Sequence, residues 1–281
     1  MFSAIDCELR MFALRAMDAG WPRAPKSMTT QSLVLYNAPQ STCSQRVRFT
    51  LHEKGLAFSE HTLDLFSGDQ LRPEYLKINP NGVVPSLIHN GRVIIDSAVI
   101  IEYLNEVFPE PASLVPHDAV ARAAMRSLIR YIDEVPTPAV RVPSYNIAFL
   151  PHYREMSEAD FIALAESKPL RKEFLLSMGR SGFSTEEMNK ALERLRRAIV
   201  RMSGTLSGSG GPWLMGPQLT LADIAMLPVL VRLADLGLGR LWESMPEVDR
   251  WLAALRARPA FSKTYYFGSL LTEKYPDLKI P

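Results

Sequence analysis

Residues 109–117, Pro-Glu-Pro-Ala-Ser-Leu-Val-Pro-His, set three prolines in one short stretch, and the chain changes character across them. Proline removes a backbone donor and steers the residue before it out of the helical region, so regular structure rarely continues through such a segment. Upstream lie short apolar runs bounded by turn residues; downstream the strand signal nearly vanishes. This asymmetry predicts two units: a mixed α/β unit over residues 31–110 and an all-α unit over residues 118–281.

In the first unit, Leu33-Val34-Leu35-Tyr36 suits a buried strand that Asn37-Ala38-Pro39 ends. Thr42 to Lys54 reads as a helix closed by Gly55. Phe58 to Leu65 alternates like a strand, and Pro73 opens a short helix, its φ preset for a first turn. The runs Val83–His89 and Arg92–Ile95 are joined by Asn90-Gly91, the strongest short hairpin signal, because a type I′ turn needs two positive φ angles. Ser97 to Phe108 then reads as a helix with Ile101, Leu104 and Phe108 on one face. Strand, helix, strand, helix, hairpin, helix predicts a small mixed sheet with a parallel core, since a crossover helix returns the chain parallel.

In the second unit, Asp118–Glu134, Glu158–Ser167, Thr185–Leu206, Thr220–Leu236, Val248–Ala257 and Phe261–Leu270 read as helical, with a flexible break at Gly208-Ser209-Gly210-Gly211. Thr220-Leu-Ala-Asp223 has the spacing of a capping box. The helix it starts is apolar nearly all round and is expected at the centre of that unit.

Lys plus Arg number 32 against 30 for Asp plus Glu. A net charge of +2 gives no reason to expect nucleic acid or an anionic membrane as partner, and no run reaches the roughly 20 apolar residues of a membrane span. Two cysteines, Cys7 and Cys43, make neither a disulfide framework nor a zinc site, and free thiols suit the cytoplasm. Residues 1–30 lack the apolar stretch of a signal peptide, and Asp6, Glu8 and Asp18 set them apart from acid-poor transit peptides. They are expected to be a flexible extension, with Met28 offering a later start; a short amphipathic helix around Ala4–Ala19 is a second option.

Four local features of the first unit can carry chemistry. Pro39-Gln-Ser41-Thr-Cys43-Ser44 brings hydroxyls and a thiol to a helix N-terminus, which favours anions and thiolates; capping alone would also explain the hydroxyls. Val84-Pro85 precedes a strand, where proline cannot donate to the ladder; a cis bond there would leave the Val84 amide and carbonyl free for an extended peptide. Asp96-Ser97 at a helix start suits both ends of an amino-acid zwitterion, or simple capping. Arg72 could clamp a carboxylate, or be a solvated surface arginine.

In this order and spacing the features become specific. Ser41-Thr-Cys-Ser-Gln-Arg-Val-Arg48, Glu53-Lys-Gly55, Asn79-Pro-Asn-Gly-Val-Val-Pro85-Ser-Leu87 and Asp96-Ser97 followed by Ile101-Glu-Tyr-Leu104 resemble the N-terminal domain of the cytosolic glutathione transferase superfamily. Leu219-Thr-Leu-Ala-Asp-Ile224 is similar to its core-helix capping motif. The implied architecture is an α/β thioredoxin-like N-terminal domain plus an all-α C-terminal helical domain. The active-site segment is most similar to the zeta class, which includes maleylacetoacetate isomerase, and also resembles the reductive dehalogenases. The stretch Ala121–Glu134 and the long insert between Tyr145 and Thr185 look closer to the bacterial beta-etherases that cleave lignin-derived aryl ethers.

The resemblance implies glutathione as cosubstrate and a small hydrophobic electrophile as its partner, in a cytoplasmic homodimer serving detoxification. It implies that Ser41 donates a hydrogen bond to the glutathione sulfur and that the Val84 backbone, beside Pro85, pairs with the cysteinyl part. Asp96 and Ser97 would receive the γ-glutamyl end, and Arg72 the glycine carboxylate. Cys43 has two readings: a small buried helix residue, or a nucleophile that attacks a glutathionyl conjugate to form a mixed disulfide. The second substrate is expected against the helical unit, where Tyr131, Tyr145, Phe149, Tyr153, Met156 and Trp213 supply aromatic and soft apolar surface. One or two of them are expected to touch ligand, the rest to pack the core or the insert. Beside thiolate-driven transfer stand ether cleavage, dehalogenation, isomerisation, and a non-catalytic carrier of glutathione or other ligands. A disulfide oxidoreductase would want Cys-x-x-Cys, which this segment lacks.

Overall fold

The computed structural model describes residues 32–111, 113–278 and Ile280. The expectations for residues 1–30, including the helix around Ala4–Ala19 and the state of Cys7, fall outside them.

Four strands make one sheet. β1 (Leu33–Asn37) leads into α1 (Thr42–Glu53), and β2 (Ser59–Thr62) returns parallel to β1 with Val34 opposite Ser59. A 3₁₀ turn at Asp69–Leu71 and α2 (Pro73–Leu76) follow, then the hairpin β3 (Ser86–His89) and β4 (Arg92–Ile95), then α3 (Ser97–Val107). The strand order is β2-β1-β3-β4, with β3 antiparallel to both β1 and β4. The parallel core is therefore a single pair, because α1 is the one crossover helix between adjacent parallel strands. Asn90 and Gly91 both have positive φ, at 50° and 77°, as the type I′ hairpin requires.

The helical half begins with α4 (Ala119–Glu134), whose N-cap Asp118 accepts from the Ala121 amide. Where the sequence predicts no helix, three short ones follow: α5 (Pro136–Ala139), α6 (Arg141–Ser144) and, past a π-helical turn at Tyr145–Phe149, α7 (Leu150–Arg154). Prolines at positions 136, 138, 143 and 151 hide them from a periodicity test; proline suits a first turn but cannot extend a helix. α8 (Glu158–Glu166) and the unforeseen α9 (Lys172–Met178) fold the insert onto its own small core of Tyr153, Phe161, Leu175 and Met178. α10 (Thr185–Gly208) carries a full capping box between Ser184 and Glu187. The chain ends with α11 (Leu221–Asp235), α12 (Pro246–Arg256), α13 (Pro259–Thr264) and α14 (Leu271–Lys274). Phe261–Leu270 is thus helical only in its first part: Gly268, at φ 92°, lies in a turn before α14.

α11 is the expected central helix, buried at all but one of its positions. Its Asp223, fully buried, accepts from the Leu214 amide, the Thr220 amide and hydroxyl, and the Trp251 indole, each at 2.8–2.9 Å. Burial pushes this carboxyl above its usual range even though all four hydrogen bonds pull the other way.

Two buried arginines of α1 join the halves. Arg46 donates to Asp133 of α4 at 2.7 Å, to the Ala225 carbonyl of α11 and to the Ser97 hydroxyl. Arg48 donates to Asn37 at 2.6 Å and to the carbonyls of Pro39 and Thr264. The site-bearing end of α1 is thereby fixed against the helical half.

Candidate active site

Ser41 is the N-cap of α1, with extended φ and ψ of −73° and 119°. Its Oγ accepts from the Ser44 amide at 3.2 Å. A hydroxyl has one proton and two lone pairs, and among the described residues the Ser41 proton is donated to nothing. Capping and catalysis therefore do not compete: the cap uses a lone pair and leaves the donor. Cys43, two residues on, is half-buried and borders the same cavity. The packed-core reading of Cys43 gives way to a thiol on the cavity wall.

The facing wall is the loop before β3. Gly82, at φ 59°, turns the chain, and the Val83 carbonyl is held by the Tyr75 hydroxyl at 2.7 Å and the Asn79 amide at 2.8 Å. Val84 borders the cavity, and among the described residues its amide and carbonyl have no hydrogen-bond partner. The Val84–Pro85 bond is cis. Continuing the Ser86–Ile95 register by one step sets Pro85 beside Asp96. Asp96 has φ 73°, outside the usual range for a residue with a side chain, and its carboxylate caps α3 through the amides of Ala98 and Val99. Ser97 is buried under Arg46. Thus Ser41, Cys43 and Val84 share one cavity, while Pro85, Asp96, Ser97 and Arg72 stand off its lining. The Arg72 side chain is 65% exposed and pairs with Asp69 at 2.8 Å.

The cavity measures about 400 Å³ and lies between the sheet half and the helical half. Of the six aromatic and soft apolar residues from which one or two substrate contacts are expected, Tyr145, Phe149 and Tyr153 line it. Tyr131 instead lies under Arg201, Trp213 is in the main core, and Met156 packs on the insert's own core. The π-helical turn brings Tyr145 and Phe149 onto the wall, and Tyr145 stacks on Tyr153. Burial pushes both tyrosine hydroxyls above the ordinary tyrosine range, so they stay neutral. Phe66, from the sheet half, meets Phe149, His152 and Tyr275 at the mouth.

Sequence reasoning missed the charged lining: Arg141, Lys168, Arg171, Arg232 and Lys274, against Asp64 and Asp69. Each lies in a helical or turn segment, and nothing in the local sequence distinguishes it from a solvated charge. Arg232 is buried, donating to the Gln40 carbonyl and to Ser144 at 3.2 Å, so it holds the loop before Ser41.

Comparison with known proteins accounts for this arrangement. A family model for the glutathione S-transferase N-terminal domain matches residues 35–112, and one for the C-terminal domain matches residues 166–259. Glutathione S-transferase Z1 of Arabidopsis thaliana is 44% identical over 251 residues, spanning 88% of this chain and 95% of that protein. The chain belongs to the glutathione S-transferase family. It is a glutathione-dependent transferase with a thioredoxin-like N-terminal and a helical C-terminal domain, and glutathione is its cosubstrate. Among other glutathione S-transferase relatives, protein LigF of Sphingobium sp. is 31% identical over 83% of this chain and 93% of its own length. The crystal structure of beta-etherase LigF superposes with a TM-score of 0.75 at 30% identity, covering 84% of this chain and 99% of that one.

Proposed function

We propose that this transferase uses Ser41 to hold bound glutathione as its thiolate, for attack on a hydrophobic, aryl-bearing electrophile lodged against Tyr145, Phe149 and Tyr153. The observation that carries the reading is the Ser41 hydroxyl: cap to the Ser44 amide, proton unused, on the wall of a cavity roofed by aromatic side chains. The Val84 amide and carbonyl, next to Pro85, pair with the cysteinyl part of glutathione. Asp96 and Ser97, at the start of α3, receive the γ-glutamyl end. Arg72, whose guanidinium has one nitrogen on Asp69, receives the glycine carboxylate on its remaining donors. In the transfer, the sulfur forms a bond to the carbon bearing the leaving group. The bond to that group breaks, and it departs with its electron pair as a halide or phenolate. The protein acts as a cytoplasmic homodimer in detoxification.

Aryl ether cleavage is the favoured form of this chemistry. The likeness to LigF runs through both halves, and the Tyr145–Thr185 insert supplies the aromatic wall. A second reading rests on Cys43, on the cavity wall. Its thiolate attacks the sulfur of a glutathionyl conjugate, the carbon–sulfur bond breaks, and the carbon departs with the electron pair and takes up a proton. A second glutathione thiolate then releases the mixed disulfide as glutathione disulfide. The test is a glutathione-dependent screen of an aryl halide, a β-aryl ether and a maleyl-type isomerisation substrate side by side. Thioether formation with release of phenol or halide is expected. Isomerisation alone, or glutathione binding with no turnover of any of the three, overturns the proposal.

A further inference from the structure

The cavity's charge is one-sided. Lys274 faces Asp64, which also accepts the Phe66 and Ser67 amides, and Asp69 is taken by Arg72. Arg232 is spent on Gln40 and Ser144. That leaves Arg141, Lys168 and Arg171 on the helical wall, none with a carboxylate at ion-pair distance among the described residues. Among the described residues the Arg171 guanidinium donates to the Leu170 carbonyl, at 2.8 Å, and to no carboxylate. The acid whose charge Arg141 feels, Asp133, is already paired with Arg46 at 2.7 Å.

Three cations lining one cavity repel, and an anion that enters it relieves that repulsion. Their mutual influence is visible. Burial lowers the Lys168 and Arg141 side chains from their ordinary values, and in each case the Arg171 charge lowers them further. Arg141 also lies within electrostatic reach of Cys43, hence toward the part of the shared cavity that holds Ser41 and Cys43. Next to the cations stand Tyr145 and Tyr153, flat apolar surface for a ring.

We propose that Arg141, Lys168 and Arg171 form an anion subsite of the second-substrate pocket, so that the electrophile is an aryl compound bearing a carboxylate, its ring on Tyr145 and Tyr153. This narrows the substrate class and rests on the reading that glutathione occupies the opposite wall. Charge-assisted hydrogen bonds of a carboxylate to one or two of these groups favour the acid over its neutral analogue by about tenfold or more.

The experiment is calorimetric titration with 3,5-dinitrobenzoate and with 1,3-dinitrobenzene, unreactive probes that differ by the carboxylate, with and without saturating S-methylglutathione. The wild type should prefer the benzoate by about tenfold. The Lys168→Gln/Arg171→Gln double variant should shrink that preference to about twofold while binding S-methylglutathione as before. Both residues are half-buried and outside the main core, and each single variant provides the same comparison. No preference in the wild type, or a preference that survives in the variants, overturns the subsite. So does weakened S-methylglutathione binding with the preference intact, which would give these cations to glutathione itself. Failure of S-methylglutathione to bind the wild type would strike the glutathione reading separately, since the benzoate preference is also measured without it.

Discussion

Arg46 of α1 and Asp133 of α4 meet at 2.7 Å, and through this pair the helix that carries Ser41 is anchored to the helical half. The guanidinium is almost fully buried and also donates to Ser97 and to the Ala225 carbonyl. Removing the carboxylate strands a buried cation, which is destabilising because desolvation is no longer offset by the partner.

Asp133→Ala should therefore lose roughly 2–3 kcal/mol of unfolding free energy. Urea denaturation checks it. An Arg46→Met/Asp133→Ala double variant should recover part of the loss, since it removes the stranded charge as well. Additive losses would contradict the pairing.

Asp223 gathers four donors from Leu214, Thr220 and Trp251 at the start of α11. Asp223→Ala leaves all of them buried and unpaired, a loss of about 3 kcal/mol or more. The expected result is a large drop in the denaturation midpoint without a change in the m-value; a shift under about 0.5 kcal/mol, the size typical of surface substitutions, would refute the role.

His89 meets the Tyr103 hydroxyl at 2.7 Å, and burial lowers its pKa; burial, Lys263 and Arg48 lower that of His52. The unfolded chain takes up these protons near pH ~6.5 while the folded chain resists until lower pH. The stability these groups contribute is thus present above about pH 6.5 and is lost as the pH falls through the depressed folded values. Denaturation midpoints should be lower at about pH 5.5 than at about pH 7.5, and a His52→Gln/His89→Gln variant should flatten the difference. An undiminished difference in that variant would assign it to other groups.

The sheet half was legible because its signals are local. Asn90-Gly91 marks the hairpin, and the sequence Val84-Pro85 marks a proline that the β1–β3 ladder does not include. The helical half was legible where capping and periodicity agree, as in α10 and α11. It was opaque from residue 136 to residue 154, where proline-started single turns and a π-helical turn have no period to read. The site divided the same way. Ser41, Cys43 and Val84 sit in recognisable motifs, whereas Arg141, Lys168 and Arg171 become a group only when α6 and the turn between α8 and α9 are brought to one cavity.

The central claim is that the Ser41 hydroxyl, its proton unused by the protein, stabilises the glutathione thiolate. The direct test is the ultraviolet thiolate absorbance of enzyme-bound glutathione as a function of pH. The wild type should titrate about two units below the ordinary thiol value of ~8.5, worth about 2.7 kcal/mol. Ser41→Ala should return most of that shift, and Cys43→Ser should leave it in place. A bound thiol that titrates identically in Ser41→Ala and the wild type, with turnover abolished by Cys43→Ser alone, would contradict the account.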